Sequence, residues 1–166
     1  MSRHAGAFAG AFAHEEGYLP HQQHELHAAD ITLEYSRPFR ALKAWLAFRA
    51  HGARQFREAI ARNLDEAELL YRHAQATEDF EVMEAPPQLS NTPIRHVPRD
   101  VVPNPHNQAL ADAIQSDGRV YLASALIDGD VWLRPCFVNF RTTDDDVLAL
   151  MDVARELGER LAREGA

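Results

Sequence analysis

The sequence predicts an α+β fold: an antiparallel sheet with helices packed on one face. Three observations carry that prediction. Helical and alternating periodicities follow one another as helix, helix, strand, weak strand, helix, hairpin, helix. Asp128-Gly129 between two alternating apolar segments is a hairpin signal, and hairpins make a sheet antiparallel. The last segment carries an unbroken apolar stripe at helical spacing (Val147, Leu150, Met151, Ala154, Leu157, Leu161), which needs a sheet or helix to cover it.

Residues 1–29 carry little pattern, and five of the nine histidines fall there. His21, His24 and His27 repeat every three residues, a spacing that suits either a metal site or a solvated loop; the loop is the expectation, and no metal site is assigned. Ile31, Leu33 and Tyr35 alternate with polar residues as a short strand. Pro38 then stands in the first turn of a helix, where its missing N–H costs nothing. That helix runs to Gly52 with Leu42, Trp45, Leu46 and Phe48 around most of its circumference, so it is expected to be covered nearly all round, with Trp45 and Phe48 in the core. A second helix follows from about Ala53 to Ala76. Phe56, Ile60, Leu64, Ala67 and Tyr71 form its inner stripe, and Glu58–Arg62 and Glu68–Arg72 pair on its outer face.

Phe80 to Glu84 alternates as a strand. Residues 85–105 hold six of the nine prolines, and Pro93 is expected to confine any strand at Ile94–Val97 to a sheet edge. Asn104-Pro105 reads as a helix cap followed by proline at the first position, and Gly118 closes that helix. Val120–Ile127 and Val131–Arg141 form the hairpin. Thr142-Thr143 ahead of Asp144, Asp145 and Asp146 places hydroxyl caps and carboxylates at the start of the last helix, where the dipole favours negative charge.

The formal net charge of −8 gives no electrostatic support for nucleic-acid binding. No apolar run reaches the ~20 residues that span a bilayer, and the start of the chain has no signal-peptide pattern that persists, so no membrane role is expected. Cys136 is the single cysteine. It excludes an intrachain disulfide, suits a reducing cytoplasm, and is expected to be buried and inert. Lys43 is the single lysine, set in a helix without an acid–base partner. Arg134 and Arg141 suit a partner-facing or a plain surface role equally. Ser36 and Arg37 are the candidate binding residues. A hydroxyl beside a guanidinium at a helix entry suits a carboxylate, which arginine binds with two parallel hydrogen bonds; pairing with a nearby acid or capping a carbonyl suits Arg37 equally.

Ser36-Arg37-Pro38-Phe39-Arg40-Ala41-Leu42-Lys43-Ala44-Trp45-Leu46-Ala47-Phe48-Arg49-Ala50-His51-Gly52 resembles the opening of the C-terminal region of pyridoxal-phosphate-dependent group II amino-acid decarboxylases. The resemblance continues through Ala85–Ser90, Arg95–Arg99, Asp117–Tyr121 and Leu133–Thr143, over roughly residues 18 to 163. It implies the C-terminal small domain of a fold-type-I enzyme of the aspartate-aminotransferase kind over 36–166, with residues 1–35 as the end of the large domain or a linker. It implies a carboxy-lyase that releases CO2 from an amino acid with pyridoxal 5'-phosphate, a homodimer or a missing large-domain partner, and a cytoplasmic location. By resemblance Ser36 shapes the substrate pocket, and Arg37 matches a position that binds a substrate carboxylate in the glutamate-specific members. The family's Schiff-base lysine lies in a segment with no counterpart here, and Lys43 matches a helix lysine instead. No catalytic or cofactor-binding residue is therefore assigned, and the chain alone is expected to be inactive. The alternative is a non-catalytic α+β module for dimerisation or interaction.

Overall fold

The computed structural model describes residues 38–164, together with Ala7, Gly10 and Ala11. The strand expected at 30–35 and the histidine-rich segment lie outside the described residues. The chain forms two compact units, residues 1–50 and 51–166.

Helix α1 (Arg40–Gln75) is interrupted at Gly52, whose φ of 72° and ψ of 156° fall in a region essentially open only to glycine. The two helices expected on either side of that residue are both present. Their burial is not as expected. Trp45 is 57% and Phe48 52% exposed, and Phe39, Leu42 and Leu46 are exposed with them. Periodicity reports which face of a helix is apolar, not what covers it. Further along, Ile60 and Leu64 are also exposed, and burial begins at Glu66 and continues through Ala67, Leu70, Tyr71 and Ala74. Glu68 accepts from Arg72 at 2.8 Å as predicted, whereas Glu58 pairs backwards with Arg54 at 3.3 Å rather than with Arg62. Both are surface pairs worth a few tenths of a kcal/mol, about the measured range for such helix pairs.

The sheet consists of β1 (Phe80–Val82), β2 (Ile94–His96), β3 (Ala123–Ile127) and β4 (Asp130–Arg134) in the order β1-β2-β4-β3, antiparallel throughout. Strand β2 is therefore internal, not at an edge. Pro93 precedes it and so removes no ladder donor from within it, which is why the proline does not exclude a central place. The β3–β4 turn is Asp128-Gly129, with φ of 52° and 89°, the paired positive values that match the twist of a tight hairpin. Regular pairing of β4 stops at Arg134 because Pro135 follows. Only the isolated bridge Asn91–Cys136 and the bond from Phe137 N–H to Ser90 C=O carry it on.

Helices α2 (Pro103–Asp117) and α3 (Asp144–Glu164) pack on the face of the sheet that presents Phe80, Ile94, His96 and Leu133. The core joins these residues to Ala67, Leu70, Leu110, Ile114, Val147, Met151 and Leu157. Helix α2 starts two residues earlier than expected, with Val102 as its cap and no side-chain cap bond. Asn104 has a different role. Strands β2 and β4 share a single register pair, Ile94 and Leu133, and then diverge. Two asparagines on successive turns of α2 fill the gap. The Asn104 amide accepts from Val131 N–H at 3.0 Å and donates to Gly129 C=O at 3.0 Å. The Asn107 amide accepts from His96 N–H and donates to His96 C=O, both at 2.9 Å, and also donates to Pro103 C=O. Side chains thus replace the missing ladder bonds, as buried backbone groups require.

The start of α3 follows the prediction. Thr143 and Asp146 form a reciprocal cap: Thr143 N–H and Oγ1–H donate to the Asp146 carboxylate at 2.9 and 2.8 Å, and Asp146 N–H donates to Thr143 Oγ1 at 3.3 Å. These bonds hold the Asp146 carboxyl below the usual carboxylate range. We predict that Thr143→Ala costs about 1 kcal/mol, the usual value of a hydroxyl cap. An unchanged urea midpoint would show that the cap contributes nothing.

Candidate functional site

The described residues bring together one buried polar cluster. His96, on β2, is fully buried, and its Nδ1 lies 2.8 Å from Nε2 of His106 on α2. Its Nε2 has no hydrogen-bond partner and lies 3.8 Å from Asp79 Oδ2, just ahead of β1. Asp79 is held from the other side by Arg155 of α3, whose Nε and Nη2 donate at 2.6 and 3.2 Å. The Phe80 ring lies 5.0 Å from the His96 ring and beneath the Arg155 guanidinium. Gly158 of α3 presses directly on the His96 imidazole.

The electrostatics follow from this packing. Burial first, and then the neighbouring His106, push the His96 imidazole down to about 4; Asp79 opposes them and Arg155 adds to the depression. Burial also lowers His106. Burial alone would raise Asp79, but its bonds from Arg155 outweigh that and hold it low. Both imidazoles are therefore neutral near pH 7. A tautomer with Nε2–H turned toward Asp79 leaves Nδ1 to accept from His106. Glu66, on the buried face of α1, is raised by burial, with Asp144 and Asp146 adding to it and Arg62 opposing.

A pocket of about 370 Å³ lies elsewhere, walled by Tyr71, Met83, Glu84, Ala85, Pro87, Asn91, Thr92 and Pro93. Its wall is largely apolar, and Glu84 is its one charged residue. None of the histidine-cluster side chains reaches it, so that cluster holds the fold together and does not meet a ligand in this pocket. On the sheet face away from His96, Arg95 is nearly buried beside Trp132. It donates to Asn104 at 3.0 Å, Asp130 at 3.2 Å and Glu81 at 3.4 Å.

The candidate pair Ser36 and Arg37 lies outside the described residues, as do His21, His24 and His27. Lys43 is exposed on α1. Cys136 is exposed, contrary to expectation, because the strand ends before it; its sulfur accepts from Arg134 at 3.2 Å. Arg141 lies against the Phe140 ring. Sequence reasoning missed His96, His106, Asn107, Asp79 and Arg155. One signal pointed there: a glycine inside a helical pattern, Gly158, usually marks a close packing contact.

The described residues do not by themselves form an attachment site for pyridoxal phosphate. A Schiff-base lysine needs a desolvated pocket, and Lys43 stands in solvent. The phosphate needs cations or free N–H groups, and the pocket beside Tyr71 offers a carboxylate.

Residues 1–93 match the family model of the pyridoxal-dependent decarboxylase conserved domain. The aromatic-L-amino-acid decarboxylase of Bacillus atrophaeus is 31% identical over 142 residues, covering 83% of this chain and 29% of that protein. Tryptophan decarboxylase of Catharanthus roseus, solved with L-tryptophan, superposes with a TM-score of 0.70 at 23% identity, over 80% of this chain and 29% of that one. Mouse CSAD in its apo form superposes with a TM-score of 0.72 at 16% identity, over 91% of this chain and 34% of that one. The chain spans about a third or less of the length of each. With the family model matching more than half of its residues, the chain belongs to the pyridoxal-dependent decarboxylase family.

Proposed function

We propose that this chain is the C-terminal portion of a pyridoxal-phosphate-dependent amino-acid decarboxylase, working in the cytoplasm with a large-domain portion that supplies the Schiff-base lysine, and inactive by itself. The observation that carries this is Lys43: the only lysine of a chain in a lysine-dependent family is exposed on a helix. When bound, pyridoxal phosphate would supply the electron sink for loss of CO2, and its attachment belongs to the other portion. The family's names favour an aromatic L-amino acid as substrate, which Ser36 and Arg37 would meet at the pocket rim. The exposed apolar residues of α1 support a covering partner, whether the large domain or a second copy. They equally suit the second possibility, a non-catalytic α+β interaction module.

The test is direct. Purified chain mixed with pyridoxal phosphate is expected to show no saturable aldimine absorbance and to release no CO2 from L-tryptophan, L-tyrosine or L-phenylalanine. A saturable aldimine lost in Lys43→Met would overturn the assignment of the lysine to another portion. Restoration of CO2 release by a co-expressed large-domain portion separates the decarboxylase from the interaction module.

A further inference from the structure

His96 is met from three sides. Asp79 and Phe80 come from β1 and the residue before it, His106 and Asn107 from α2, and Arg155 and Gly158 from α3. We propose that the His96–His106 pair is an acid-sensitive latch between β2, α2 and α3, and that an added proton loosens the two helices from the sheet. The two facing nitrogens are 2.8 Å apart, so a single hydrogen lies between them. A proton added to the pair creates a cation where His96 has no solvent contact. Asp79 is the one carboxylate facing the ring, and both its oxygens already accept from Arg155. The guanidinium of Arg155 is itself a second positive charge beside the ring, and Asp152 and Glu159 on its own helix act on that guanidinium. Gly158 leaves the ring no space to rotate away. Relief therefore requires the helices to move.

The sign follows from linkage. The folded state holds His96 neutral down to about 4, while the unfolded chain takes up its proton near 6.5. The contribution to stability is complete above that upper value and is lost as pH falls from there toward 4. From His96 alone the folding equilibrium constant drops about 20-fold between pH 7 and pH 5. Glu66 acts in the opposite sense, since its raised carboxyl takes up a proton more readily when folded, so it works against the loss and cannot produce it.

The experiment uses the whole chain. Urea unfolding followed by circular dichroism at pH 7, 6 and 5 gives the fold-change. Amide exchange at the same pH values gives protection of the His96 N–H, which Asn107 holds. The expected result is the 20-fold loss, with protection at His96 falling further than in the β3–β4 hairpin. In His96→Asn the loss shrinks to less than about 3-fold, because the titrating ring is gone. Arg155→Gln provides a second variant should His96→Asn not fold. It frees Asp79 to face the imidazolium, and the pH dependence again flattens even though the chain is weaker at every pH. An equal folding constant at pH 7 and pH 5 overturns the latch. So does a His96 ring that titrates near 6.5 in the folded chain by NMR, or a loss of protection spread evenly over all elements.

Discussion

Replacing Gly158 by alanine is expected to destabilise the chain by about 2 kcal/mol, although alanine is the better helix former. The two effects oppose each other, and their sizes decide. In mid-helix the exchange gains about 1 kcal/mol from propensity. Against that, the new methyl would overlap the His96 ring, which is fully buried and fixed by His106. Overpacking a closed site costs typically 1–3 kcal/mol, and about 3 where the obstructing group cannot move. Gly158→Leu should not fold. The check is the urea midpoint of Gly158→Ala at pH 7. A raised midpoint would mean that the ring yields, and that α3 does not rest on it as described. A double-mutant cycle with His96→Ala should recover most of the loss, since the second change removes the ring that the methyl meets.

The other large effect is expected at Asn107. Its amide satisfies the N–H and C=O of His96 and the C=O of Pro103, and it has no solvent contact. In Asn107→Ala those backbone groups lose their partners in the interior. Each buried unsatisfied group costs about 1–3 kcal/mol, so a total loss of about 3 kcal/mol is expected after partial relaxation. Asn107→Leu distinguishes bonding from volume, because it fills the space and restores no bond. If Asn107→Leu is as stable as wild type by urea unfolding, the hydrogen bonds are not what the position contributes.

Both sites show where sequence and structure part. The hairpin at Asp128-Gly129, the cap at Thr143 and Asp146 and the inner stripe of α3 were legible, because each depends on residues within a few positions of one another. The central place of β2 was not. A three-residue strand in a proline-rich stretch carries no periodicity, and on its β4 side an amide from another element completes its bonding. Asn104 illustrates the same limit. Asn-Pro is a sound local signal for a nearby helix start, and the helix starts two residues ahead of Pro105, but the Asn104 side chain is engaged by the β3–β4 hairpin and Arg95 instead of capping its own helix. For Trp45 and Phe48 the apolar pattern was read correctly and their burial was not, since burial depends on a surface that a helix's own sequence does not describe. The candidate binding pair Ser36 and Arg37 came from the chemistry of the helix entry, to which the family resemblance added roles, and it falls outside the described residues.

The opening between β2 and β4 also bears on the order in which the domain assembles. The β3–β4 hairpin closes through two residues, and such hairpins form in about 1–10 μs. The β1–β2 pair closes through eleven residues, still a short loop. The two halves meet through the Ile94–Leu133 pair, the Asn91–Cys136 bridge and the Phe137–Ser90 bond, and at the other end of that seam α2 meets the His96 and Val131 backbone groups. The first turn of α2 must therefore arrive with the seam, and contacts distant in sequence form together or not at all. Folding becomes a single cooperative closure governed by this non-local step, with the hairpin as a template that waits for it.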